Sequence, residues 1–137
     1  MTAKHELRPS IGPARLAGAL RYSLAGFRHA TRHEAAFQQE VLLFLLLLPA
    51  AMLLPVPTLD RLVIVLSMLL VIVVELLNSA IEATVDRISA ERHPLSAQAK
   101  DMGSAAVFLA LVMSGVCWVV IAGPVIAAWL ATGLRGG

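Results

Sequence analysis

Hydrophobic and polar positions alternate along this chain in blocks rather than in a fine pattern. A polar lead gives way to three long apolar stretches, about 35–54, 59–88 and 98–122, each able to supply the roughly 20 helical residues that cross a bilayer. The middle stretch carries no charge from Leu62 to Val74 and then turns abruptly polar, with Glu75, Asn78, Glu82 and Asp86. At roughly 100° per residue these four positions share one helix face. A charged side chain inside a bilayer costs about 2.5–3.5 kcal/mol on insertion scales, so a chain that keeps Glu75 and Glu82 there is expected to use or neutralise them.

Upstream, residues 1–13 read as a polar lead containing Pro9, Gly12 and Pro13. From 14 to 33 a helical pattern sets Leu16, Leu20, Leu24 and Phe27 opposite Arg21, Arg28 and Arg32, which predicts an amphipathic helix lying in the membrane surface. The first span opens at Glu34 and contains Pro49, and a Pro55-Val56-Pro57 turn leads to the second. Pro94 followed by Ser96 reads as a stop and then the N-cap of the third span. The segment 123–137 reads as a separate tail. The expected fold is thus all-α and integral to the membrane, one domain with a surface helix and three transmembrane helices.

Composition supports the bilayer as solvent: 137 residues are 58% hydrophobic, with a mean hydropathy of +0.80. The lone cysteine, Cys117, excludes an intrachain disulfide. Lys4, Arg8, Arg15, Arg21, Arg28 and Arg32 precede the first span, and Arg87, Arg92 and Lys100 flank the second connection, against Arg61 and Arg135 on the other side. The positive-inside rule then places the N-terminus and the acidic helix end in the cytoplasm. Orientation accounts for the net charge of +2, which gives no ground for a nucleic-acid partner.

Candidate chemistry follows from the charges gathered at that end: Glu34, Glu40, Glu75, Glu82, Asp86 and Asp101 against Arg15, Arg28, Arg87 and Lys100. Mg²⁺ prefers one or two carboxylates plus phosphate oxygens, and a lysine nearby holds phosphate as a point charge, so the set suits Mg-nucleotide. A further carboxylate, Glu75 being the deepest, could take a proton from an attacking hydroxyl. Acid stripes also line proton-coupled transporters and channels, which is the reading of another class. The phosphate-binding loop motif G-x-x-x-x-G-K-[ST] does not occur, and His5, His29, His33 and His93 form no metal spacing.

Three segments together carry a family resemblance: Glu34-Ala35-Ala36-Phe37; Glu75-x-x-Asn78-Ser79-Ala80-Ile81-Glu82-Ala83-x-Val85-Asp86-Arg87; and Lys100-Asp101-Met102-Gly103-Ser104-Ala105-Ala106. Over about residues 14–122 the chain resembles the prokaryotic diacylglycerol kinases, a family that includes undecaprenol kinases. The resemblance implies a homotrimeric helical bundle in the bacterial inner membrane, with active sites between subunits at the cytoplasmic surface. It implies phosphorylation of diacylglycerol by ATP with Mg²⁺, or of undecaprenol by the same machinery. Glu75 matches the general base and Glu34 and Glu82 the metal-holding carboxylates. Arg15, Tyr22, Glu91, Arg92, His93, Lys100 and Asp101 match positions around ATP, although Arg92 departs from the family's usual residue. Asn78 and Ser104 match positions beside the reacting hydroxyl, and Arg28, Phe37, Glu40, Arg61 and Trp118 positions along the lipid path. Gly18 and Ala25 stand where basic residues are expected in the surface helix.

Overall fold

Pro13 at the first helical position needs no N–H partner and arrives with a helical φ, so it starts α1, Pro13–His33. A computed structural model describes residues 12–88 and 93–133, and among these there are four helices and no strand. The others are α2, Ala35–Leu53; α3, Thr58–Ile88; and α4, Pro94–Gly133. Three of them, α2, α3 and α4, are long and apolar enough to cross a membrane.

Glu34 is the joint between α1 and α2. Its backbone is extended, at φ −105° and ψ 104°; its N–H donates to the Ala30 carbonyl at 3.0 Å and its own carbonyl accepts from Gln38 at 3.1 Å. One residue thereby closes one helix and opens the next, with Glu34 standing at the corner. Phe37, 1% exposed, packs inside that corner with Phe27, ring centroids 6.5 Å apart.

α3 is the central element, packed on α4 along much of its length and on α2 to a lesser extent. It runs antiparallel to α4, as Ser67 meets Ser114 at one level and Asp86 meets Lys100 nearer its C-terminal end. Gly103 makes the close approach possible: a Cβ built there would run into the Asn78 carboxamide. Away from the acidic end, Ala51, Leu54, Ile64, Met68 and Ala122 form a buried cluster joined by half-buried Trp118 and Val125. Large apolar side chains elsewhere, among them Leu42, Leu46, Phe108 and Val119, face outward. In lipid such faces are solvated by acyl chains, and association of the helices rests on packing of small residues and on internal hydrogen bonds.

Two sequence expectations are corrected. Pro94 begins α4 instead of stopping a segment, and the cap is His93 rather than Ser96: the His93 Nδ1 accepts from the Leu95 N–H at 3.2 Å and its carbonyl from Ala97 at 3.1 Å. The 123–133 part of the expected tail is the continuation of α4 through Pro124. The reason is local in both cases. Proline is well suited to a helix's first turn. At Pro124 only one backbone bond is lost in a long helix otherwise intact.

Candidate functional site

The site is built on α3 where its apolar run ends. From Leu59 to Glu75 the helix rises about 24 Å, so Glu75 lies still within ~30 Å of hydrocarbon while Glu82 is about 10 Å farther along, at the headgroup level. Glu75 is 4% exposed and Asn78 8%. The Asn78 Nδ2 donates to the Glu82 Oε1 at 3.1 Å, one turn onward, which turns Glu82 back along the helix. Gly103 of α4 supports the other side of the carboxamide.

Around Glu75 the fold gathers other acids. Glu34, from the α1–α2 corner, and Glu82 lie within electrostatic reach of it, and so does Glu40, one and a half turns into α2. These are half-buried residues. The cluster also holds unpartnered polar atoms: the Glu40 Oε2 and Asn78 Oδ1 are buried without a hydrogen-bond partner. Like charges held close about a buried carboxylate, with spare oxygen acceptors, fit a hard cation that takes oxygen ligands. Among the described residues no three His, Cys, Asp or Glu side chains form a metal cage of their own. Any such cation would therefore draw other ligands from phosphate or water, the habit of Mg²⁺.

The other expected site residues divide by position. Lys100 and Asp86 meet at 2.6 Å near the acidic end, the lysine 37% and the aspartate 66% exposed, so the expected phosphate-holding lysine is engaged but accessible. Asp101 and Ser104 are exposed about two to three turns into α4, flanking Gly103. Arg15 and Tyr22 share an open concave surface on α1 with Gly18 and Arg21, and Arg28 is exposed farther along the same helix. Glu91 and Arg92 lie outside the described residues, and His93 is the α4 cap.

Three expected lipid-path residues have structural partners. Phe37 is a core residue of the α1–α2 corner. Arg61 donates through one terminal nitrogen to the carbonyls of Leu54 at 2.9 Å and Val56 at 3.4 Å, which ties α3 to the end of α2 and the turn that follows. Trp118 packs against the buried cluster at that same end, with its Nε1 buried and unpartnered. The sequence counted Glu40 among the acids of this end, and the structure brings it within electrostatic reach of Glu75. The available signal was the Pro55-Val56-Pro57 turn, which folds α3 back along α2 so that Glu40 and Glu75 lie at similar distances from it. The Ser67–Ser114 pair was missed, because a single serine in an apolar run carries no partner information.

Comparison with known proteins decides the family. The profile described as prokaryotic diacylglycerol kinase matches residues 21–122. The chain belongs to that family. It is 57% identical over 110 residues to a diacylglycerol kinase of Pseudomonas aeruginosa, covering 80% of this chain and 89% of that protein. It is 46% identical over 112 residues to one of Escherichia coli, covering 82% and 92%. A Helicobacter pylori diacylglycerol kinase is 41% identical over 107 residues, covering 78% and 84%. Membership in a kinase family displaces the transporter reading, and every residue of the acid cluster falls inside the matched region. The last turns of α4, from Gly123 onward, fall outside it.

Proposed function

We propose that this protein is an ATP-dependent membrane kinase that phosphorylates diacylglycerol to phosphatidic acid. The observation that carries the reading is the buried Glu75 carboxylate at the end of an uncharged membrane helix, surrounded by Glu34, Glu40 and Glu82 and flanked by Asn78. Glu75 accepts the proton of the lipid hydroxyl as that oxygen attacks the γ-phosphorus, and ADP departs with the bridging oxygen. Glu34 and Glu82 would hold Mg²⁺, which when bound would offset the charge of the phosphates. Asn78 keeps Glu82 in place. Lys100 leaves Asp86 to meet a phosphate, and Arg15, Tyr22, Asp101 and the 91–93 loop complete the nucleotide's surroundings. Ser104 stands beside the hydroxyl. Such a reaction needs little covalent chemistry from the protein; positioning and charge stabilisation account for most of its rate.

The wider setting is part of the same proposal. The acid cluster faces the cytoplasm from a bacterial inner membrane, a reading that the Lys and Arg distribution supports. α1 lies on that surface, where Leu16, Leu20 and Leu24, all exposed here, enter the lipid. Three copies assemble, with the active sites between subunits.

The test is Mg²⁺-dependent transfer of labelled phosphate from ATP to diacylglycerol and to undecaprenol in mixed micelles, with Glu75→Gln alongside. Product from diacylglycerol that is lost in the variant, with subunit number unchanged by cross-linking, is the expected result. Undiminished turnover in Glu75→Gln removes the base, and transfer to undecaprenol alone replaces the substrate.

A further inference from the structure

The histidines of this chain show no cage-forming metal spacing in the sequence, yet α1 brings two of them together. His29 and His33 stand four residues apart on that helix, a separation that puts Cβ atoms of one face about 5–6 Å from each other. Their ring centroids are 4.8 Å apart, with the planes inclined at 37°. Both side chains are exposed, and neither has a part in the site described above. Leu16, Leu20, Leu24 and Phe27 mark the lipid-facing side of α1, and the two histidines lie roughly 135–175° round from its centre. The pair therefore faces water and the ions dissolved in it.

The ring separation decides what the pair can hold. A metal ion about 2.0–2.1 Å from one nitrogen of each imidazole lies roughly 3.2 Å from either ring centre, and nitrogen–metal–nitrogen angles of about 90–109° then set the centres about 4.5–5.2 Å apart. The observed 4.8 Å falls inside that interval. Turning each exposed ring about its own bonds aims one nitrogen of each at a common point, with no movement of the backbone. Imidazole nitrogen suits Cu²⁺, Ni²⁺ and Zn²⁺, of which Cu²⁺ binds most tightly, whereas Mg²⁺ takes oxygen ligands. Among the described residues no third His, Cys, Asp or Glu completes the set, so water or a small anion would fill the remaining positions.

We propose that His29 and His33 form a two-nitrogen site for a late first-row transition ion, Cu²⁺, Ni²⁺ or Zn²⁺, on the water-facing side of α1. The ion clips the last turn of the helix, the turn that Glu34 closes by donating its N–H to the Ala30 carbonyl at 3.0 Å. It thereby stiffens the corner from which Glu34 reaches the acid cluster. The site is separate in ligand chemistry from the oxygen donors around Glu75, and it stands whether or not the kinase reading does.

The experiment titrates untagged protein in detergent micelles with Cu²⁺ in the presence of excess Mg²⁺ and reads the nitrogen hyperfine splitting by electron paramagnetic resonance. One ion per chain with two nitrogen ligands is expected. His29→Gln and His33→Gln should each weaken binding at least tenfold and remove the two-nitrogen signal. A register variant, Thr31→His combined with His33→Gln, keeps the number of histidines but sets the pair roughly 200° apart round the helix, and it should bind no better than His33→Gln alone. On the wild-type protein, Zn²⁺ should slow hydrogen exchange of the backbone amides of residues 30–34, an effect absent from His33→Gln. Undiminished binding in either single variant, wild-type affinity in the register variant, displacement of Cu²⁺ by Mg²⁺, or exchange that Zn²⁺ leaves unchanged overturns the proposal.

Discussion

Gly103→Ala isolates the close approach of α3 and α4 at the site, because the added methyl has one thing to meet. A Cβ at 103 collides with the Asn78 Oδ1, the far end of a buried side chain whose Nδ2 is bonded to Glu82 at 3.1 Å. Two terms oppose each other. Alanine is favoured over glycine inside a helix by about 1 kcal/mol. Overpacking a tight contact costs about 1–3 kcal/mol, and loss of a hydrogen bond to a charged group another 1.5–3 kcal/mol if Asn78 swings away. The net is a loss of about 1.5–5 kcal/mol. Because the displaced group orients Glu82, part of the loss is expected in turnover; 1.4 kcal/mol felt at the transition state is tenfold in kcat. The assay is kcat and Mg²⁺ dependence in mixed micelles, with the rate of thermal inactivation as the stability readout. Gly115→Ala is the matched control, since a Cβ there has nothing within 4 Å and only the helix preference remains. In an Asn78→Ala background the collision partner is gone, so Gly103→Ala should cost nothing further, a coupling that a double-mutant cycle measures directly. Wild-type kcat and inactivation rate in Gly103→Ala, or equal losses with and without Asn78, would refute the reasoning.

Glu82→Gln is expected to raise the Mg²⁺ concentration needed for half-maximal rate at least tenfold while keeping subunit assembly; an unchanged metal titration removes Glu82 from the metal. For the Lys100–Asp86 pair, both partners are accessible and exposed pairs contribute little to stability. Lys100→Ala should therefore raise the KM for ATP without changing thermal inactivation, and Asp86→Asn, which frees the lysine, should leave that KM unchanged or lower it. A stability loss with unaltered KM in Lys100→Ala would make the pair structural. Arg61→Ala removes donors to two carbonyls at the end of α2 and is expected to destabilise by about 1.5–3 kcal/mol. Its thermal inactivation should quicken while the KM for diacylglycerol stays constant, and a raised lipid KM in a stable variant would return Arg61 to the lipid path.

The acid stripe was legible because two rules act on the same few residues. The helical period fixes that 75, 78, 82 and 86 share a face, and the cost of intramembrane charge says that the face is kept for a task. The lengths of α1, α2 and α3 followed from the same arithmetic, to within a residue or two of the observed ends. What could not be read was which acids meet across helices. Glu40 was counted among the acids of that end, without a partner across helices. It meets Glu75 because the turn at 54–57 folds α3 back along α2, a pairing of helices that the pattern along either one alone does not give.

Proline misled the reading of both ends of α4, for one physical reason. A proline denies its own N–H and crowds the carbonyl four residues earlier, and each penalty depends on whether that position had a bond to lose. Pro94 stands in the first turn, where there is none, and His93 supplies the missing acceptor through its side chain. Pro124 does interrupt the ladder, but the alternative at that point is worse. Unwinding the segment in an apolar medium would leave several backbone groups unpaired, each costing several kcal/mol, against roughly 3 kcal/mol for a proline in a helix interior. The helix therefore continues, and Val125 reaches the buried cluster around Ala122. In water, where exposed backbone groups are hydrated, the same Gly123-Pro124 pair would be a sound place to end it. The choice of solvent, settled by the apolar blocks, thus has to come before the punctuation is read.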